Sequence, residues 1–239
     1  MMKWKRAAIF SIEFWILGVI LLIVHEFGHY QAMKKYEITP KRFQIGIGPT
    51  LARFNYDETE FILKLIPALG YVRMDDSVMK ENKTLRSLAM ECDIALAGIR
   101  NTGIVSFTTL FLLGIKKVKS FNDLVSHVRE KAGNFFGFQW VVFINVLSFG
   151  LVGDIKKFPS VLYGTYGTGS WVVLWILMSM LMTVMNFFPI WPLDGFLIAS
   201  LISERYVENF DKFSVALFSF TFGIVLMLWR YPAQLMIRH

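Results

Sequence analysis

Residues 7–31 read AAIFSIEFWILGVILLIVHEFGHYQ, an apolar run that closes on two histidines and a glutamate. As a helix rising 1.5 Å per residue, such a run is long enough to cross a hydrocarbon core of about 30 Å. It contains no proline, so the helix is expected to continue through His25-Glu26-Phe27-Gly28-His29. Positions four apart share a helix face, which lets both imidazoles converge on one metal ion. Glu26 then stands within reach of a water polarised by that metal and can take its proton. Polar groups of this kind at the end of a membrane span are costly unless they are paired, coordinated or facing a polar cavity. Lys3, Lys5 and Arg6 ahead of the run also suit a signal peptide. No small-residue cleavage site follows them, so the run reads as a retained span.

The rest of the composition agrees with a bilayer protein. Of 239 residues, 55% are hydrophobic and 18% charged, against about 25% charged in a soluble domain. The net charge of +7 comes from Lys and Arg lying between apolar runs, where they meet lipid headgroups. No basic stripe interleaved with aromatics marks a nucleic-acid partner. Cys92 is the single cysteine, which excludes an intramolecular disulfide and argues against a thiolate metal site.

Three more runs are candidate spans: residues 94–115, 171–190 and 213–229. Residues 139–153 are apolar but short, and suit an interfacial helix following a charged loop at 116–137. Lys and Arg of alternate loops balance, so charge counts do not orient the chain. Between the first two spans, Phe43, Ile45 and Ile47 alternate, as do Phe61, Leu63 and Leu65. With Asn55-Tyr56-Asp57 as the turn, this predicts a β-hairpin or small meander within residues 40–75, to which Gly70–Met74 could add a strand. The expected fold is a mainly α membrane protein of about four transmembrane helices with that membrane-associated β-region. It is expected to be a single domain over 1–239, with a core at 7–203 and a C-terminal helix at 213–230.

Two histidines do not complete a zinc site, which takes a third protein ligand and keeps one position open. His127 follows a charged loop and His239 is the last residue, so neither is favoured. Asp194 lies in NFFPIWPLDG, residues 186–195, where two prolines end an apolar run just before another begins. It reads either as the third ligand or as an N-cap ahead of Gly195-Phe196-Leu197-Ile198. The HEFGH end of the first span and Asp194 share a membrane side only if one return crossing separates them. Residues 94–115 supply that crossing, provided that 139–153 do not cross.

With both motifs in hand, the chain resembles the site-2 protease family of intramembrane zinc metalloproteases. HEFGH fits that family's HExxH, and NFFPIWPLDG its Asn-x-x-Pro-x-x-x-Leu-Asp-Gly. The resemblance implies His25, His29 and Asp194 as ligands of one Zn2+, Glu26 as general base, and Asn186 as a hydrogen-bond donor to substrate backbone or the developing oxyanion. Gly70-Tyr71-Val72-Arg73-Met74 is similar to the family's Gly-Tyr-Val-Lys-Met strand, which implies that Gly70, Tyr71 and Val72 bind substrate. Ala97-Gly98-Ile99-Arg100-Asn101 is similar to its Ala-Gly-Pro-x-x-Asn stretch, with Ile99 in place of proline. The likeness is to bacterial enzymes, but the 116–137 stretch is too short for their PDZ domain, and Phe196 replaces the second glycine of LDGG.

The implied reaction is hydrolysis of peptide bonds in or near the transmembrane segment of a single-pass membrane protein or peptide. The implied location is multi-pass in a bacterial inner membrane, with the active site towards the cytoplasmic side. A metal transporter would also place His and Asp in a membrane, but gives no reason for Glu26. An inactive scaffold predicts an eroded motif, and both motifs are intact. Glu13 and Arg100, inside apolar runs, are expected to pair or to face a polar cavity.

Overall fold

A computed structural model describes residues 2–74, 88–113, 115, 118–147 and 171–237, with side chains described within 11–225. Its elements are α1 (Met2–Lys35), β1 (Arg42–Tyr56), β2 (Thr59–Arg73), α2 (Leu88–Leu112), α3 (Phe121–Leu147), α4 (Trp171–Met185), α5 (Asp194–Tyr206) and α6 (Lys212–Ile237). The chain is mostly helical with one two-stranded antiparallel sheet. It divides into two compact units, Met1–Thr102 and Gly103–His239.

In the first unit, α1 is apolar around most of its circumference, yet only one side is covered. Leu17 and Leu21 are buried, while Ile12, Ile16, Ile20, Ile23 and Phe27 are exposed at helical spacing. The covered side packs on the hairpin: Val19 and Tyr30 join Phe43 and Ile45, flanked by Trp15, Phe61, Leu63 and Val72. Trp15 Nε1 donates to the Leu65 carbonyl at 2.6 Å, fixing the strand to the helix. A second cluster of Ala32, Met33, Ile94 and Ala97 packs α1 against α2.

The hairpin turn is Asp57-Glu58, both at positive φ and closed by the Tyr56–Thr59 pair, rather than Asn55-Tyr56-Asp57 as expected. A two-residue loop with φ > 0 at both positions matches the twist of the strands, and Asp accepts that conformation at low cost. Lys34 secures the turn through a 2.6 Å ion pair with Asp57. Gly46 and Gly48, at φ 87° and 86°, bend β1 where a side chain would be strained. Residues 42–45 consequently pair twice, with residues 60–63 on one side and residues 70–73 on the other. The strand expected at Gly70–Met74 is thus the end of β2, and among the described residues no further strand pairs beyond residues 70–72.

In the second unit, α3 begins at Phe121, inside the stretch 116–137 that is expected to be a charged loop. Ser120 and Asp123 cap it reciprocally: the Ser120 amide donates to Asp123 Oδ2 at 3.0 Å and the Asp123 amide to Ser120 Oγ at 3.1 Å. This capping box is a start signal that hydropathy alone passes over. Lys131, Phe135, Phe138, Val142 and Asn145 form its buried stripe. The apolar members meet Val173, Ile176, Met180 and Val184 of α4. The short segment expected at 139–153 is therefore the end of a longer helix to Leu147, and residues 148–153 lie outside the described residues.

Among the described residues, two helical segments, Ser11–Lys35 and Leu88–Leu112, are long and apolar enough to cross a membrane by length and composition. Trp171–Met185 and Lys212–Val225 are shorter apolar helices. The run expected to reach residue 190 stops at Met185 because Pro189 and Pro192 cannot continue a helix.

Candidate metal centre

His25, Glu26 and His29 lie on α1, at 4%, 5% and 8% exposure. A buried ionised carboxylate such as Glu26 is costly unless other groups compensate, and a metal ion held by the two imidazoles is one group that would do so. The helix is unbroken here, so the two imidazoles stand one turn apart on one face. Their Nε2 atoms are 3.4 Å apart and the rings are at 80° to one another. Two nitrogens at 2.0–2.1 Å from a tetrahedral zinc are separated by about 3.3–3.4 Å, so the pair already has the spacing of two ligands.

Two features of α2 complete that arrangement. The Ile94 carbonyl accepts a 2.7 Å bond from His29 Nδ1. With its proton on Nδ1 and donated to that carbonyl, His29 presents the Nε2 lone pair, as metal-bound histidines do. One turn later, Gly98 leaves open the space in front of both rings. A Cβ there would overlap His29 Nε2 and lie 2.6 Å from His25 Nε2 and Cε1. Gly28, between the two histidines, lets α1 meet the Ala97 carbonyl, which a Cβ would overlap. Donor chemistry, spacing and cradle all fit a zinc ion.

Glu26 lies against β2. A Cβ on Gly70 would fall 2.6 Å from Glu26 Cγ and Oε1, so the strand backbone runs directly past the carboxylate. Tyr71 and Val72 follow in the same strand; Tyr71 donates its hydroxyl to Gln44 Oε1 at 3.1 Å, and Val72 packs inward. The structure thus brings Glu26 and Gly70 together within the first unit.

Asp194 and Asn186 belong to the second unit. Asp194 is the first residue of α5, and the N-cap is Leu193, with no side-chain cap bond. The N-cap reading of Asp194 is therefore displaced by one residue. The Asn186 side-chain amide donates to the Met182 carbonyl at 2.9 Å, and the Asn186 backbone carbonyl accepts from the Gly195 amide at 2.7 Å. A Cβ at Gly195 would overlap the Phe187 carbonyl, so glycine is needed where this loop folds back on α5. Phe196, in place of the family's second glycine, is buried.

His127 is occupied elsewhere, donating to the Phe111 carbonyl at 2.7 Å, and His239 lies outside the described residues. Arg100 pairs with Asp93 at 2.8 Å, within its own helix. Sequence reasoning found the histidines and the base, but gave no role to Ile94 or Asp93. Asp93 and Arg100 at i and i+7 on one helix face were the available signal.

The profile of peptidase family M50 matches residues 13–229. Protease RseP of Yersinia pestis is 33% identical over 112 residues, covering 42% of this chain and 25% of that protein. The probable protease eep of Enterococcus faecalis is 37% identical over 91 residues, covering 38% and 21%. A Pasteurella multocida protein whose name describes a zinc metalloprotease is 32% identical over 119 residues, covering 45% and 27%. The chain thus spans about a quarter of the length of these relatives. With the profile match running from α1 to α6, through HEFGH and Asp194, the chain belongs to peptidase family M50, the site-2 protease family.

Proposed function

We propose that the chain is an intramembrane zinc metalloendopeptidase that cuts membrane-anchored, single-pass proteins or peptides in or beside their transmembrane segments, as in regulated intramembrane proteolysis. One observation carries this reading: two buried imidazoles at ligand spacing, with Glu26 between them and a strand backbone passing its carboxylate. Asp194 is the third ligand in this proposal, by its place in the NFFPIWPLDG motif. When bound, zinc polarises the scissile carbonyl and lowers the pKa of the attacking water.

Glu26 accepts the water proton on its carboxylate as the new C–O bond forms. It returns that proton to the amine nitrogen as the C–N bond breaks. Asn186 donates a hydrogen bond to substrate backbone or to the oxyanion. A helical substrate must unwind before its peptide bond is exposed. The edge of β2 at Gly70, Tyr71 and Val72 holds the unwound segment by β-augmentation, next to the base.

About four crossings of a bacterial inner membrane, with the site towards the cytoplasm, complete the proposal. The exposed apolar side chains of α1 and the hairpin, among them Ile16, Phe54 and Tyr56, then face lipid. The test is cleavage of model single-span substrates by the purified chain beside Glu26→Gln. Cleavage by the wild type alone, with zinc retained by both, is expected. Equal cleavage by the variant would refute Glu26 as the base.

A further inference from the structure

The His29 ring is oriented by the Ile94 carbonyl, and the residue before Ile94 is a carboxylate with three side-chain partners. Asp93 Oδ2 accepts from Lys35 Nζ and from the Tyr36 hydroxyl, each at 2.9 Å, and its Oδ1 accepts from Arg100 at 2.8 Å. Lys35 and Tyr36 stand at the end of α1, less than two turns beyond His29, whereas Arg100 is on α2 two turns after Asp93. Asp93 is thus the clamp that closes α1 onto the turn of α2 carrying Ile94 and Gly98.

We propose that Asp93 is a positioning residue for the metal centre, holding the Ile94 carbonyl on His29 Nδ1 and the Gly98 gap over both ligand nitrogens. The proposal rests on the zinc reading of His25 and His29. Its physical basis is geometric. A ligand histidine is fixed in tautomer and direction by the acceptor on its second nitrogen. Here that acceptor is a backbone atom, which no substitution at its own position removes. The side chains that fix its helix are what the sequence can vary. Asn101 Nδ2 adds a longer tie from α2 to the Val24 carbonyl and Gln31 Oε1, both at 3.4 Å, further along the same contact. Asp93 has a charged partner on each helix, Lys35 on α1 and Arg100 on α2.

The test compares the full chain in detergent with Asp93→Asn and Asp93→Glu. Zinc affinity is read by competition with a chelator, and site geometry from the visible spectrum of the cobalt-substituted protein. Asp93→Asn is expected to weaken zinc by roughly tenfold and to shift the cobalt bands, while Asp93→Glu recovers much of both. If Asp93→Asn fails to fold, Arg100→Gln removes one partner of the clamp, and a smaller loss in the same direction is expected. Wild-type affinity and an unchanged cobalt spectrum in Asp93→Asn would overturn the proposal and leave the zinc reading standing. No zinc binding by the wild type would instead overturn the zinc reading itself.

Discussion

At the scale of single residues, the centre depends as much on absent atoms as on ligands. Gly98 contributes no donor, yet any side chain there would occupy the place where the two Nε2 lone pairs meet. Gly98→Ala is therefore expected to lower zinc affinity at least about tenfold, comparable to losing the acceptor that orients a ligand histidine, measured as metal retained after dialysis against a chelator. Gly103→Ala is the control, because its Cβ would meet only the Thr183 methyl at 3.5 Å, an ordinary contact; equal retention in the two variants would contradict the cradle. HEFGH was legible in the sequence because its chemistry is local, two ligands and a base within one helical turn and a half. The roles of Ile94 and Asp93 were not, and Gly98 stood out only as part of the Ala97–Asn101 resemblance, without a role. Their roles arise from an approach between α1 and α2, elements some sixty-five residues apart along the chain, of which the i, i+7 spacing of Asp93 and Arg100 is the one trace in the sequence of α2.

At the scale of elements, the β-region was legible as alternation, and the helices as apolar runs, but their ends were not. The hairpin turn moved to Asp57-Glu58 because backbone twist, rather than hydropathy, selects the turn. The start of α3 was hidden in a charged stretch, where its Ser120–Asp123 cap and a stripe from Lys131 to Asn145 decide the matter. The double pairing of residues 42–45 was likewise invisible, since it requires the bend at Gly46 and Gly48. That bend leaves Gly70 beside Glu26, and it yields a prediction for the element. Gly70→Ala forces a methyl group against the Glu26 side chain, at an overpacking cost of about 1–3 kcal/mol. Turnover is expected to fall about tenfold or more, with zinc content unchanged. Wild-type turnover in Gly70→Ala would show that β2 does not define the position of the base.

At the scale of the whole molecule, membrane placement follows from what α1 leaves uncovered. Ile16 and Ile20 point away from the hairpin while Leu17 and Leu21 point into the fold, a division with no purpose in water. In a Cys92→Ser background reconstituted into lipid vesicles, spin labels at residues 16 and 20 are expected to relax with oxygen and not with a polar nickel chelate. The reverse preference would place this face in water and remove the transmembrane reading of α1. Composition made the membrane class legible from the start, since charge and hydropathy are whole-chain properties. The number of crossings was less so, because α4 ends early at Met185 and, among the described residues, only Ser11–Lys35 and Leu88–Leu112 meet the length and apolarity of a span.

The most direct test of the central claim is zinc K-edge X-ray absorption on the purified, zinc-loaded chain. The predicted result is one zinc in a shell of nitrogen and oxygen at about 2.0–2.1 Å, with imidazole outer-shell scattering that is lost in His29→Ala. Failure to retain zinc, or a sulfur shell at about 2.3 Å, would contradict the account.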